Sequence, residues 1–134
     1  MLSSKLKHKL SVMLVSDHLE ELNCDYEINE SDDVYKSYDI ELLDVGKRIK
    51  VFSNFSKLNE ISLLGDFEYE DGVLYMVVTP TDKNDLFYVS SGGSKYVMDQ
   101  FSRIKSSKKI GMKRKYVDVS KLGMTGLKRF VTSH

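Results

Sequence analysis

The chain has 134 residues, twenty basic and twenty acidic side chains and a formal net charge of zero, with 41% hydrophobic and 30% charged residues. That suits one globular domain able to bury its own core. A single cysteine, Cys24, excludes an internal disulfide, and no apolar run reaches membrane-spanning length.

The start, MLSSKLKHKLSVMLV, places Lys5, Lys7 and Lys9 before a few apolar residues. Asp17, Glu20 and Glu21 follow without a small-residue cleavage site, so no signal peptide is expected. A cytoplasmic setting fits the lone thiol. Ser3 or Ser4 caps a predicted helix running to about Leu22. Its apolar stripe is Leu6, Leu10, Met13 and Leu14, then Val15, Leu19 and Leu22. His8 and His18 lie at the edge of that stripe, where a lone histidine is usually solvent-facing or a satisfied packing group. Asn23 is the expected stop, and CDYEI (24–28) reads as a short strand. Residues 29–33, NESDD, form an acidic loop.

The next stretch, VYKSYDIELLDVGKRIKVFSNF (34–55), organises the chain. Tyr38, Ile40 and Leu42 alternate with polar positions before the turn at Asp44–Lys47, and Ile49 and Val51 alternate after it. Period-two runs around a glycine turn predict a strand pair. Asp39 and Glu41 are two apart and share one side of a strand. They read either as a solvated face paired with Arg48 and Lys50, or as carboxylates for a divalent cation.

Residues 61–69 (ISLLGDFEY) predict a weaker strand broken at Gly65. VLYMVVT (73–79) is the most apolar run and predicts a central strand ended by Pro80, with LFYVS (86–90) returning antiparallel. The glycine-rich SGGS (91–94) lacks the spacing and lysine of phosphate loops and reads as a connection. A second helix is predicted over 95–104, a basic loop over 106–115 and a last strand at 116–119. The fold class is therefore α+β (mixed α/β): an N-terminal helix on a central mixed sheet, a second helix and a basic C-terminal region. Leu10, Leu14, Ile40, Val51, Tyr75, Val77, Phe87 and Phe101 are the expected core.

The zero net charge hides a division. Residues 1–102 carry a balance of −9, whereas residues 103–134 carry +9, with Asp118 their sole acid. Lys105, Lys108, Lys109, Lys113, Arg114 and Lys115, with Tyr116 beside them, are the candidate nucleic-acid-binding residues. Cations at this density release counterions from a phosphate backbone, and Tyr116 or Phe130 offers a ring to an unpaired base. The competing readings are a basic loop docked on the chain's own acidic face, and one that binds an acidic protein.

The order LVSDHLEELNCDYEI, KSYDIELL, DVGK, RIKVFSNFS and, later, VLYMVVTPTDKNDLFYVS resembles the PD-(D/E)XK nuclease superfamily, in particular its small resolvase-like and homing-endonuclease-like members. The resemblance spans residues 5–104, within a nuclease-like core (1–104) of a single domain (1–134), with 105–134 as a basic extension. It implies a DNA-binding protein, Asp39 as a metal-binding aspartate and Mg²⁺ as the cofactor of an active form. The family's second strand carries Glu or Gln, one residue, then Lys. Here those positions hold Phe52 and Asn54, or Lys50 and Phe52. Glu41 stands in as the second metal ligand, and Lys36, Lys50 or Lys57 as the lysine. The implied catalytic set is Asp39, Glu41 and Lys50, with metal held by Asp39 and Glu41 and cleavage weakened or lost. The alternative function is a small non-catalytic accessory protein, of the kind viruses, phages and mobile elements encode, that binds and modulates a host protein.

Overall fold

The computed structural model describes residues 3–33, 36–54, 60–80, 87–106 and 112–122. Helix α1 spans Ser4–Glu21. The Ser3 hydroxyl accepts the Leu6 N–H at 3.2 Å, satisfying one donor of the first turn. At the other end Asn23 takes φ +55°, a left-handed conformation that asparagine tolerates. Cys24 N–H then reaches back to Leu19 C=O and Asn23 N–H to Glu20 C=O, both at 3.0 Å. This paired closure uses the orphan carbonyls of the last turn and stops the helix.

Among the described residues eight strands follow: β1 Tyr26–Ile28, β2 Ile40–Leu42, β3 Lys47–Ser53, β4 Glu60–Leu64, β5 Val73–Pro80, β6 Phe87–Gly93, β7 Ser102–Ser106 and β8 Lys113–Asp118. Helix α2, Lys95–Phe101, lies between β6 and β7, and a single 3-10 turn at Val119–Lys121 follows β8. The strands form two sheets, a five-stranded one ordered β1-β2-β3-β5-β6 and a three-stranded one ordered β4-β8-β7. β3 and β5 are parallel, and every other pairing is antiparallel. The α+β class with an N-terminal helix, mixed sheet and second helix is as the sequence predicts.

β5 explains the layering. Its residues alternate between two cores. Leu74, Met76 and Val78 face Val12, Val15 and Leu19 of α1, together with Ile40, Leu42, Ile49 and Val51. Val73, Tyr75 and Val77 face Ile61, Leu63 and Val117 of the second sheet and Met98 of α2. A strand covered on both faces has no polar side, which is why 73–79 reads as an unbroken apolar run. Phe52, Phe67, Tyr69 and Tyr75 form an aromatic cluster on the second side, with Phe52 stacked on Tyr75 at 6.2 Å and Tyr69 edge-on to it at 5.0 Å.

Predicted details differ at several places, the first being that β6 runs on through Gly93 and so takes in most of the stretch read as a connection. Helix α1 turns toward the sheet on Ser11, Val12, Val15, Ser16 and Leu19, so Leu6 and Met13 are exposed and Leu10 and Leu14 only half-buried. Ser11 and Ser16 tolerate burial because their hydroxyls donate to Lys7 C=O and Met13 C=O at 2.8 Å. Helix α2 ends at Phe101 instead of Ile104. Ser102 is already extended, at φ −93° and ψ 146°, and its hydroxyl closes the last turn on Met98 C=O. The predicted loop 106–115 contains the start of β8, whose pairing with β4 and β7 supplies the ladder that its lysine-rich sequence does not advertise. Phe101 is half-buried, whereas Ile40, Val51, Tyr75 and Val77 are buried as expected; the Phe87 side chain lies outside the described residues.

Candidate functional site

Two sets of side chains carry chemistry. The first surrounds Asp39, at the entrance to β2. Its N–H donates to Ile49 C=O and its C=O accepts from Asn29 N–H, both at 2.8 Å. Its carboxylate then takes a place in the ladder, because Oδ2 accepts the Val51 N–H at 2.7 Å. Oδ1 accepts from His8 Nε2 at 2.7 Å, across from α1. The ammonium of Lys36 stands 3.5 Å from Oδ1, and that of Lys50 3.5 Å from Oδ2. Asp39 is wholly buried, and the Lys50 side chain is only 8% exposed. Lys36 also ties the acidic loop down, donating to Asn29 C=O at 2.8 Å and Ser31 C=O at 3.0 Å. Beside the cluster the Ser11 and Ser53 hydroxyls meet at 2.7 Å.

Burial by itself would push the Asp39 carboxyl up. The His8 hydrogen bond, the Lys50 charge and the Val51 N–H outweigh it and hold the pKa below the ordinary carboxylate value. The group is an anion with a donor on each oxygen and two ammonium groups close by.

Of the implied catalytic set, the fold brings Lys50 to Asp39. Glu41 is half-exposed and has Arg48 as its ion-pair partner, at 3.9 Å. Among the described residues no group of three or more His, Cys, Asp or Glu side chains is arranged to hold a metal ion. The donor set also fits Mg²⁺ poorly. A hard cation needs free carboxylate oxygens, and here the oxygens point at N–H groups and ammonium charges that repel it. His8 is the residue that sequence reasoning passed over. Its spacing placed it only at the edge of the α1 stripe, and nothing in the sequence marked its meeting with Asp39.

The second set lies on the three-stranded sheet. Directly paired residues of antiparallel strands share a face. Ser62, Tyr116 and Arg103 form one such row, and Leu64, Arg114 and Lys105 the next. The neighbouring Val117 is buried in the core, so these rows form the outer face. Arg103 meets Glu60 Oε2 at 2.6 Å, and Arg114 Nε donates to the Ser62 hydroxyl at 2.9 Å. The Lys105 ammonium is 5.9 Å from the centre of the Tyr116 ring.

Of the candidate nucleic-acid-binding residues, Lys105, Arg114 and Tyr116 therefore come together. Lys113 and Lys115 alternate with them onto the opposite side. There the Lys115 ammonium donates to Phe67 C=O and sits 5.0 Å over the Tyr69 ring, which commits its charge inside the protein. Lys108 and Lys109, like Lys57 and Phe130, lie outside the described residues. Arg103 joins the outer face as Tyr116's cross-strand neighbour. No described helix is long and apolar enough to cross a membrane. Comparison with known proteins finds no matching family model, no similar curated protein and no similar solved structure.

Proposed function

We propose that this protein binds nucleic acid through the outer face of the β4-β8-β7 sheet, and that Asp39 holds the fold together instead of holding a catalytic metal. The observation that carries this reading is the convergence of Arg103, Lys105 and Arg114 around Tyr116 on one sheet face. The segment 103–115 has seven Lys/Arg and no acid. Arginine forks and lysine ammonium groups meet phosphate oxygens without base recognition, so they position a strand without selecting its sequence. The resemblance to nucleases is consistent with a DNA ligand, while the saturated Asp39 carboxylate and the Arg48-paired Glu41 argue for binding without efficient hydrolysis.

A salt titration of binding to short duplex and single-stranded DNA tests this. Log affinity should fall linearly with log salt. The triple variant Arg103→Gln/Lys105→Gln/Arg114→Gln should flatten the duplex slope by roughly 2 to 3 units, about 0.9 for each phosphate no longer neutralised. Mg²⁺ added to the same samples should leave the DNA intact. No binding at low salt would remove the proposal, and brisk Mg²⁺-dependent cleavage abolished by Asp39→Ala would replace it with the catalytic reading.

A further inference from the structure

We infer that the ligand of this face is a single strand, held by one unpaired base stacked on Tyr116; this rests on the nucleic-acid reading above. Tyr116 lies on β8, the middle strand of the three, so its ring is flanked by sheet on both sides. It alternates with buried Val117 yet is absent from the aromatic and aliphatic groups that pack the second core. A half-buried aromatic ring on the polar side of a sheet gains nothing from the core behind it; cations gather on one side of it, while Glu60 and Asp118 form the next row of the same face on the other. Arg103 stands across one strand and Lys105 on the diagonal, and Arg114 comes two residues earlier on the same strand. Ser62 holds the Arg114 fork beside the ring without offsetting its charge, which lowers the entropy lost when it takes up a phosphate, whereas Arg103 shares its guanidinium with Glu60.

The base must be unpaired for a geometric reason. In a duplex, each base has both faces covered by its stacked neighbours, and only its edges and the backbone are available. A ring on the middle strand of a three-stranded sheet finds no uncovered base face in a duplex to stack on. An unpaired base presents its π-face, whatever its identity, and carries its phosphate into the field of the flanking cations. The same arrangement accommodates RNA and DNA, because stacking does not read the 2′-hydroxyl.

Fluorescence anisotropy with the full chain tests the inference, using oligothymidylate, oligouridylate, a hairpin duplex and an abasic strand of equal phosphate count. Both single strands should bind more tightly than the duplex. Tyr116→Ala should weaken single-strand binding roughly 5- to 150-fold, the range for one base–aromatic stack, and leave the salt slope unchanged. Tyr116→Phe should bind like the unaltered protein. The abasic strand should bind the unaltered protein roughly 5- to 150-fold more weakly than oligothymidylate does, a comparison that needs no variant. If duplex and abasic strands bind as well as oligothymidylate, the stacking inference falls and the phosphate reading stands. If no oligonucleotide binds at low salt, both fall.

Discussion

His8 Nε2 lies 2.7 Å from Oδ1 of Asp39, thirty-one residues further along the chain, and links α1 to the β2–β3 pair. The same carboxylate takes the Val51 N–H and faces Lys36 and Lys50, so one buried anion serves two hydrogen-bond donors and two ammonium groups on three segments. Removing that anion should cost more than removing any one of its donors. Asp39→Ala leaves Lys50 buried with no carboxylate facing it and should lose about 3–5 kcal/mol. Lys50→Met leaves Asp39 with His8, Lys36 and Val51 and should lose no more than about 2 kcal/mol. Urea unfolding of both variants gives the ranking, and the reverse order would contradict the arrangement described.

Acid should act through the same carboxylate. Its folded-state pKa is lowered, so the unfolded chain takes up the proton first as pH falls. Its contribution is fully present above the unfolded carboxylate value, near pH 4, and is lost as pH drops through the lower folded-state value. Stability measured from pH 6 downward should therefore fall less steeply in Asp39→Asn than in the unaltered protein over that acid limb. Parallel curves would assign acid sensitivity to other carboxylates.

Two glycines should respond differently to alanine. A Cβ on Gly65 would lie 2.5 Å from the Lys113 carbonyl oxygen and 2.9 Å from its carbon, both backbone atoms that cannot swing aside. Gly65→Ala should force β4 and β8 apart and cost about 1–3 kcal/mol. Gly46 has φ +64° and open space around it, so Gly46→Ala should cost only the left-handed strain, about 1–2 kcal/mol. Thermal melts of the pair separate steric clash from strain, and hydrogen exchange in Gly65→Ala should rise in the second sheet.

Val77 is wholly buried between β5 and the second sheet, in a cluster of aliphatic and aromatic side chains. An aspartate there gains no partner from that cluster, and an unpaired buried charge costs several kcal/mol, a large part of a domain's total stability. Val77→Asp should fail to give a cooperative melt. A soluble, cooperatively melting variant would show that this core is looser than its packing indicates.

Elements with one dominant signal were legible in the sequence. The alternation at Ile40 and Leu42, then Ile49 and Val51, marked the hairpin, and the unbroken run 73–79 marked a strand covered on both faces. The rotation of α1 was not legible, because its buried face includes Ser11 and Ser16, whose hydroxyls are satisfied by carbonyls one turn back and leave no apolar mark. β7 and β8 were obscured for a related reason. Their outer positions are Arg103, Lys105 and Arg114, and only Val117 announces a core. Asp39 stood out by its place before the turn, whereas its pairing with His8 depends on a helix–sheet contact that no spacing rule encodes.

The apolar inner side of β5 must wait for its cover. Val73, Tyr75 and Val77 are sealed by Ile61 and Leu63, but β4 reaches its place only by pairing with β8, which the ribosome delivers much later. Until Val117 emerges, a nascent chain carries a sticky strand surface and an unpaired β4 edge. Non-local pairing of this kind is slow and open to aggregation. During that wait the emerged chain carries the acidic balance of residues 1–102, so like-charged nascent chains repel one another until the basic last strands arrive and close the layer.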